Sequence, residues 1–253
     1  MRLTRVIGQI KSSIVQIQAE LKDNNNVIGI VPAGTGFIVE NDLAITALHV
    51  IKAISKANGR MLIGVALNDD PSGRIKIRGS FILSHAEVVK IDEMNDIALL
   101  QLTGGKKFNL LTSGISIGDN PHPVTIDTVD FDIDLPENGE LIATSGYPLS
   151  EPQLVTSSGI IASNWTLEEG QERFLADMTI NRGNSGGPVY LHKNGKVIGV
   201  SCAYRSAALS DSSGDINSDG LTHNSGLSLV VPAEYVVRLI DSYKSAKNVT
   251  KAD

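Results

Sequence analysis

Short runs of β-forming residues, separated by turn-forming residues, recur along most of this 253-residue chain. The candidate strands cover residues 13–20, 34–40, 43–46, 61–67, 75–83, 86–91, 97–102, 140–146, 153–163, 172–180, 187–191, 196–203 and 227–231. Little helical sequence comes between them, and many short strands at such intervals are typical of barrels and sandwiches rather than of βαβ units. The sequence therefore predicts an all-β fold.

Three other segments complete this outline. Residues 46–57 predict a brief helix, and residues 232–247 predict a terminal helix, because Pro232 suits a first helical turn and the apolar residues after it share one face. The stretch 104–139 is rich in Gly, Pro and Asp, so it predicts a linker between two halves of the chain.

Composition narrows the classes of function. The formal net charge is −6 and no basic stripe appears, which argues against nucleic acid as a partner. No run of 18 apolar residues is present, so we expect no membrane span. The single cysteine and the absence of a leader-like N-terminus favour a reducing compartment, and we predict a cytoplasmic protein.

The most unusual segment is NRGNSGGPVY at residues 181–190, where glycines and a proline surround one serine, Ser185. One interpretation is a tight surface turn. The other is a backbone bent so that amide N–H groups and the serine Oγ point at one substrate atom. This segment alone leaves both open, because nucleophilic chemistry also needs a base and an acid that orients it.

Two residues earlier in the chain could supply those groups. His49 follows a predicted strand within an apolar run, and Asp96 directly precedes an apolar strand where a buried carboxylate needs a donor. Taken alone, each is also explained as an ordinary structural residue. Together with Ser185 they provide a nucleophile, a base and an orienting carboxylate, and the amides of Gly183 and Ser185 could hold an oxyanion.

The ordered motifs GTGFIVE, TALHVI, NDIALLQL, SGYPL, SSGII, TINRGNSGGPV, GKVIGVS and GLSLVVPA resemble the chymotrypsin-like serine proteases, closest to the HtrA/Deg-type protease domain. The resemblance runs from about residue 12 to about residue 240. It implies two six-stranded antiparallel β-barrels, with His49 and Asp96 from the first and Ser185 from the second. The predicted division is an N-terminal barrel at 1–104, a linker at 105–137, and a C-terminal barrel with the terminal helix at 138–253.

The resemblance also implies a substrate pocket, which we expect Thr179, Ile180, Ser201, Cys202, Ala203, Gly226 and Ser228 to build. Thr179 is expected at its base, and Ser201 is expected close to Asp96, with Cys202 as a filler. Because no aspartate lies at the base, we predict cleavage after small to medium aliphatic residues.

Regulation is expected to differ from that of the digestive members of the family. Asn184 stands where those members have an aspartate that pairs with a new N-terminus, so we expect control by ordering of loops such as the polar segment 206–225. HtrA-type enzymes usually carry a C-terminal PDZ domain, and we expect none here.

The sequence thus predicts a serine endopeptidase that acts on a protein or peptide through an acyl-enzyme. It leaves open whether a regulatory protein partner exists and what the oligomeric state is. A non-catalytic peptide-binding or signalling module, and esterase or acyl-transferase chemistry, are the alternatives. No cofactor or metal is predicted. The run DINSDG at 215–220 matches the start of a calcium loop, but Gly226 occupies the position of its closing glutamate.

Overall fold

The structure is a computed structural model that describes residues 2–23, 26–40, 42–66, 81–103, 127–208 and 222–249. Its helices are α1 (Leu3–Ile10), α2 (Leu48–Lys56) and α3 (Ala233–Val249). Its strands are β1 (Ile14–Asp23), β2 (Asn26–Glu40), β3 (Leu43–Ala47), β4 (Arg60–Ala66), β5 (Phe81–Asp92), β6 (Ile97–Leu102), β7 (Leu141–Gly146), β8 (Val155–Glu168), β9 (Gln171–Asp177), β10 (Pro188–Leu191), β11 (Val197–Ala208) and β12 (Thr222–Pro232). None of the described helices is both long and apolar enough to cross a membrane.

Strands β1 to β6 close into an antiparallel barrel in the order β1-β2-β3-β6-β5-β4. Along β1, Val15, Ile17 and Ala19 alternate with polar residues and pack into the barrel core. The pairing of β1 with β2 shifts register after Ile17 and again after Leu21. Such bulges increase the local twist and bend a strand, which helps a sheet of six strands close on itself.

Strands β7 to β12 form the second closed barrel, in the order β10-β11-β12-β9-β8-β7. Its interior holds Phe174 and Ala176 of β9 and Val189 and Leu191 of β10, each two residues apart on its strand. The period of two places these side chains on the inner face, because successive side chains of a strand point to opposite sides.

A third group of buried apolar side chains joins the two barrels. Phe37 and Leu99 of the first barrel belong to this group together with Tyr190 and Val200 of the second. Both terminal helices add to it, through Val6, Ile10, Val236, Leu239 and Ile240. This shared core fixes how the loops of one barrel meet those of the other.

The predicted fold of two six-stranded barrels with a terminal helix is confirmed. Residues 81–83 and 86–91 are strand as predicted, but the predicted break between them is wrong, because β5 runs unbroken over Phe81–Asp92. Residues 75–80 lie outside the described ranges. Helix α1 was not predicted. The division at residues 104 and 138 stays a prediction, since residues 104–126 are also outside those ranges.

Candidate active site

The three side chains put forward by the sequence lie around one groove. His49 is the second residue of α2, directly after β3, and Asp96 lies in the turn between β5 and β6. Ser185 lies in the loop between β9 and β10, so it comes from the other barrel. All three line one cleft of about 360 Å³.

His49 and Asp96 are held together by two hydrogen bonds between them. The imidazole Nδ1 is 2.6 Å from Asp96 Oδ2, and the His49 backbone N–H donates to Oδ1 at 2.8 Å. The backbone N–H of Leu48 also donates to the Asp96 carbonyl, at 2.9 Å. Because Oδ1 is taken by the backbone, Oδ2 is the oxygen that orients the ring, and Nδ1 carries the shared proton.

The environment of Asp96 keeps its carboxylate ionised. Burial by itself raises the pKa of this carboxyl group. The hydrogen bonds and charge of His49, with a contribution from the Cys202 thiol, outweigh burial and hold the pKa of Asp96 below its ordinary value. An ionised carboxylate at this position stabilises an imidazolium when His49 takes up a proton.

Ser185 makes a different contact. Its Oγ donates a hydrogen bond to the Cys202 carbonyl at 3.3 Å, and across the described parts of the chain it makes no hydrogen bond with His49. Ser185 and His49 therefore share a cleft while the Ser185 hydroxyl is directed at the main chain of β11.

The Cys202 side chain contacts Asp96, which corrects the expectation that Cys202 is a filler. The expected closeness of Ser201 to Asp96 stays a prediction. The Cys202 thiol donates a hydrogen bond to Asp96 Oδ2, with Sγ 3.3 Å from that oxygen. Ser201 is fully buried, and its Oγ makes no hydrogen bond with any described residue. The physical reason is a register shift in the pairing of β11 with β12 between Ser201 and Ala203, which leaves Cys202 outside the regular alternation. Cys202 is thus a partner of Asp96 and more than a filler.

The Cys202 thiol should resist alkylation in the folded protein. Burial, together with the negative charge of Asp96, raises its pKa to about 12, so little thiolate exists at pH 8. We expect iodoacetamide to modify it at least about 100-fold more slowly than the same thiol in urea, because the thiolate is the nucleophile. Mass spectrometry of both samples measures this, and equal rates would contradict the buried contact with Asp96.

The loop before Ser185 leaves two backbone donors free. Within the described residues neither the Gly183 nor the Ser185 N–H makes a hydrogen bond. The carbonyl groups beside them are held, because Thr35 Oγ1 donates to Gly183 O at 2.6 Å and the Leu149 N–H donates to Arg182 O at 2.6 Å. Gly183 has φ +97°, and a Cβ there would lie 2.3 Å from the Tyr147 carbonyl oxygen. This position therefore requires glycine.

The structure brings only part of the expected pocket to the cleft. Ile180, Cys202 and Ala203 line it, and so do three residues that the sequence did not suggest, Asn181, Arg182 and Tyr204. These three residues could have been found from the sequence, because they lie within a few positions of Ser185 or Cys202 in the chain.

The other expected pocket residues are not among those that line the cleft. Thr179 is exposed, and Ser201 and Ser228 are fully buried. Ser228 Oγ donates to the Met178 carbonyl at 2.6 Å, so its side chain supports the backbone of the loop that leads to Ile180. Gly226 lies in β12 with φ +85°.

Among the described residues, one group of side chains has ligand atoms close enough for a metal ion. The donor atoms of His49, Asp96 and Cys202 lie within 4.8 Å of one another. The hydrogen bonds among them account for this spacing, and the predicted absence of a metal stays a prediction. The calcium-like run at 215–220 falls outside the described residues.

Known proteins are similar to this chain in sequence, and solved structures are similar to it in fold. Human serine protease HTRA3 is 26% identical over 252 residues, covering 94% of this chain and 44% of that protein. The periplasmic pH-dependent serine endoprotease DegQ of Escherichia coli is 31% identical over 178 residues, covering 69% of this chain and 30% of that protein. The magnetosome formation protease MamE of Magnetospirillum gryphiswaldense is 31% identical over 171 residues, covering 67% of this chain and 18% of that protein. The chain thus spans less than half the length of these relatives.

Among solved structures, an inactive form of a serine-to-alanine mutant of Rv3671c from Mycobacterium tuberculosis matches with a TM-score of 0.58. That match has 16% sequence identity and covers 95% of this chain and 90% of that one, so it supports the fold alone. The family model described as "Trypsin-like peptidase domain" matches residues 34–200, which span both barrels and include His49, Asp96 and Ser185. The chain belongs to the trypsin-like peptidase family.

Proposed function

We propose that this protein is a serine endopeptidase in which His49, Asp96 and Ser185 carry out catalysis. The observation that supports it most strongly is the 2.6 Å contact between His49 Nδ1 and Asp96 Oδ2, on the wall of the cleft that also holds Ser185. An imidazole held in this way keeps Nε2 unprotonated and free to accept a proton.

The reaction begins when rotation of the Ser185 side chain moves Oγ from the Cys202 carbonyl to His49. Oγ then bonds to the carbonyl carbon of the peptide while its proton passes to Nε2 of His49. The electron pair of the C=O bond moves to the oxygen, which accepts hydrogen bonds from the free N–H groups of Gly183 and Ser185.

Collapse of that intermediate forms the acyl-enzyme. His49 returns the proton to the leaving nitrogen as the C–N bond breaks, and Ser185 is left as an ester. A water molecule then attacks the ester carbon and gives one proton to His49. The C–Oγ bond breaks as His49 returns that proton to Ser185 Oγ, so the acid product departs and the serine hydroxyl is restored.

The wall of the cleft favours aliphatic side chains at the position before the cleaved bond. Ile180, Cys202 and Ala203 are apolar or weakly polar, and among the described residues that line the cleft Asp96 supplies the only carboxylate. The cationic side chains of Lys and Arg would therefore lack a dedicated partner in the pocket.

A peptide library with mass-spectrometric mapping of cleavage sites tests this function and the pocket together. We expect Val, Ala, Leu or Ile before the cleaved bond, with no cleavage by the Ser185→Ala variant. Cleavage dominated by Arg or Lys would overturn the pocket assignment but not the peptidase. Cleavage that is unchanged in the variant would show that Ser185 is not the nucleophile and would remove the support for the function.

A second candidate is a peptide-binding module on the same fold that does not turn over. The hydrogen bond of Ser185 Oγ to the Cys202 carbonyl favours it, because the resting hydroxyl is not in contact with the base. Binding of library peptides by the parent protein without any cleavage would support this candidate.

Control by loop ordering fits the same observation. The strand β11 carries Cys202, Ala203 and Tyr204 of the cleft and runs into the polar segment 206–225. Residues 209–221 of that segment lie outside the described ranges. A change there could shift β11, and with it the acceptor of the Ser185 hydroxyl. Uniform resistance of this segment to limited proteolysis, with or without a bound substrate analogue, would count against this form of control.

The cytoplasmic location stays a prediction, and one of the relatives above is named as periplasmic.

A further inference from the structure

We propose that Arg173, on the second barrel, is a positioning residue that holds the turn carrying Asp96 in its catalytic orientation. This inference rests on the proposed function, because it assigns to Asp96 the role of orienting His49. Arg173 does not line the cleft and lies far from Asp96 in the chain, so nothing in the catalytic motifs points to it.

The contacts of Arg173 cross from one barrel to the other. Arg173 belongs to β9 and is only 6% exposed. Its Nη1 donates to Asn95 Oδ1 at 3.1 Å, and its Nη2 donates to the Met94 carbonyl at 3.3 Å. Nη1 also donates to the carbonyl of Glu172 on its own strand, at 2.7 Å. The guanidinium group therefore bridges β9 to the two residues immediately before Asp96.

This buried cation has no carboxylate partner within the described part of the chain. No carboxylate oxygen in the described ranges comes within 4.0 Å of the Arg173 nitrogens, and its charge is instead solvated by neutral acceptors. Burying a charge is costly unless it is well bonded, so the contacts with residues 94 and 95 are what make this site tolerable for an arginine. The planar guanidinium can reach both acceptors at once, which a lysine ammonium on a single stem does poorly.

Asn95 transmits this hold to the rest of the turn. It is also only 6% exposed, and its side-chain Nδ2 and backbone N–H donate to the two carboxylate oxygens of Asp92 at 2.8 and 3.0 Å. The amide is therefore fixed at both ends, with its oxygen on Arg173 and its nitrogen on Asp92. Asp92 is the last residue of β5, so the turn is closed against its own strand on one side and against β9 on the other.

The backbone at Asp96 explains why such a hold is needed. Asp96 has φ +56°, in the left-handed region that residues other than glycine seldom occupy. Backbone in this region persists where the surroundings fix it. The Leu48 N–H donates to the Asp96 carbonyl, which fixes the end of the turn. Arg173 donates to the Met94 carbonyl and to Asn95 Oδ1, which fixes the two residues before Asp96.

The same strand leads to the nucleophile. β9 ends at Asp177, and the chain then runs through Ile180 at the cleft to Ser185. Arg173 therefore ties the Asp96 turn of the first barrel to the strand from which the Ser185 loop departs. Its positive charge also acts on the Cys202 thiol, although burial and Asp96 dominate and raise the pKa of that thiol.

Two substitutions separate this role from a general effect on folding. In Arg173→Met we expect kcat to fall about 10- to 100-fold with KM within about twofold, because misplaced catalytic groups lose rate rather than binding. Arg173→Lys keeps the charge and should recover part of the loss. The exposed Arg238→Met on α3 is the matched control and should leave both constants unchanged.

A spectroscopic readout does not depend on turnover. The proton shared by His49 Nδ1 and Asp96 should give a strongly downfield NMR resonance in the parent protein and in Arg238→Met. We expect this resonance to shift or broaden in Arg173→Met and to be less changed in Arg173→Lys. If the parent shows the resonance but cleaves no peptide, the proposed function fails while the effect of Arg173 on Asp96 is still measured.

The route through Asn95 is tested by a double-substitution cycle with Asn95→Ala. Because Arg173 acts through Asn95, the double variant should lose little more rate than the more damaging single variant. Arg173→Met that folds and retains both the parent kcat and the parent resonance would overturn the proposal. If Arg173→Met does not fold, the other two variants decide. Arg173→Lys and Asn95→Ala that both retain the parent kcat and the parent resonance would overturn the proposal.

Discussion

Replacing Ser185 by alanine should lower kcat for peptide hydrolysis by at least about 10⁴-fold. The substitution removes the Oγ that we propose forms the acyl-enzyme, and it leaves His49 with no hydroxyl to deprotonate. It leaves the Gly183 amide in place, so substrate binding should persist and KM should change little. Steady-state kinetics on one peptide taken from the library measures both constants.

The control for this result is Ser242→Ala, which removes an exposed hydroxyl from α3, outside the residues that line the cleft. It should retain the parent kcat and KM, and both variants should unfold at the temperature of the parent within a few degrees. A Ser185→Ala protein that keeps more than a tenth of the parent activity would show that another group is the nucleophile.

Asp96→Asn should be nearly as damaging, with a fall in kcat on the order of 10⁴-fold. The reason lies in the two oxygens of Asp96, since Oδ1 accepts the His49 backbone N–H and Oδ2 faces Nδ1. An asparagine must keep its carbonyl oxygen toward the backbone N–H, so its NH₂ group would face Nδ1. Nδ1 would then be the acceptor, the ring proton would move to Nε2, and the imidazole could no longer accept the proton of Ser185.

Asp42→Asn is the matched control for this charge change, because Asp42 accepts a hydrogen bond from Gln101 on the first barrel and does not line the cleft. Its kinetic constants should equal those of the parent. NMR of the imidazole nitrogens checks the tautomer directly, and Asp96→Asn with the proton still on Nδ1 and normal kcat would contradict this account of the pair.

The strands and the three catalytic candidates could be predicted because their signals are local. Alternating residues such as Val15 and Ile17 indicate a strand wherever it lies in the fold. The glycines around Ser185 indicate a constrained loop, and Gly183 does have the positive φ that such a loop requires.

Other features depend on partners distant in sequence. Helix α1 has only eight residues, too few for stability from its own hydrogen bonds, and Val6 and Ile10 are buried in the core shared by the barrels. The contact of Arg173 with Asn95 joins residues 78 positions apart on different barrels. Leu3, Val6, Ile7 and Ile10 do recur at helical spacing, but the pattern does not say which surface they pack against. No sequence pattern indicates the contact between Arg173 and Asn95.

The contact of Cys202 with Asp96 could not be predicted because it depends on a bulge in β11. Strict alternation along β11 assigns the side chains of Ser201 and Cys202 to opposite faces, but it does not say where the strand carries a bulge. The register shift beside Cys202 appears only when the pairing with β12 is known.

Labelling with a fluorophosphonate probe, followed by peptide mapping, tests most directly whether the Ser185 hydroxyl can be activated by His49. The account predicts a single adduct on Ser185 Oγ in the parent protein, none in Ser185→Ala, and at most trace labelling in Asp96→Asn. A parent protein that folds, binds peptides and stays unlabelled would contradict it, as would an adduct on any other residue.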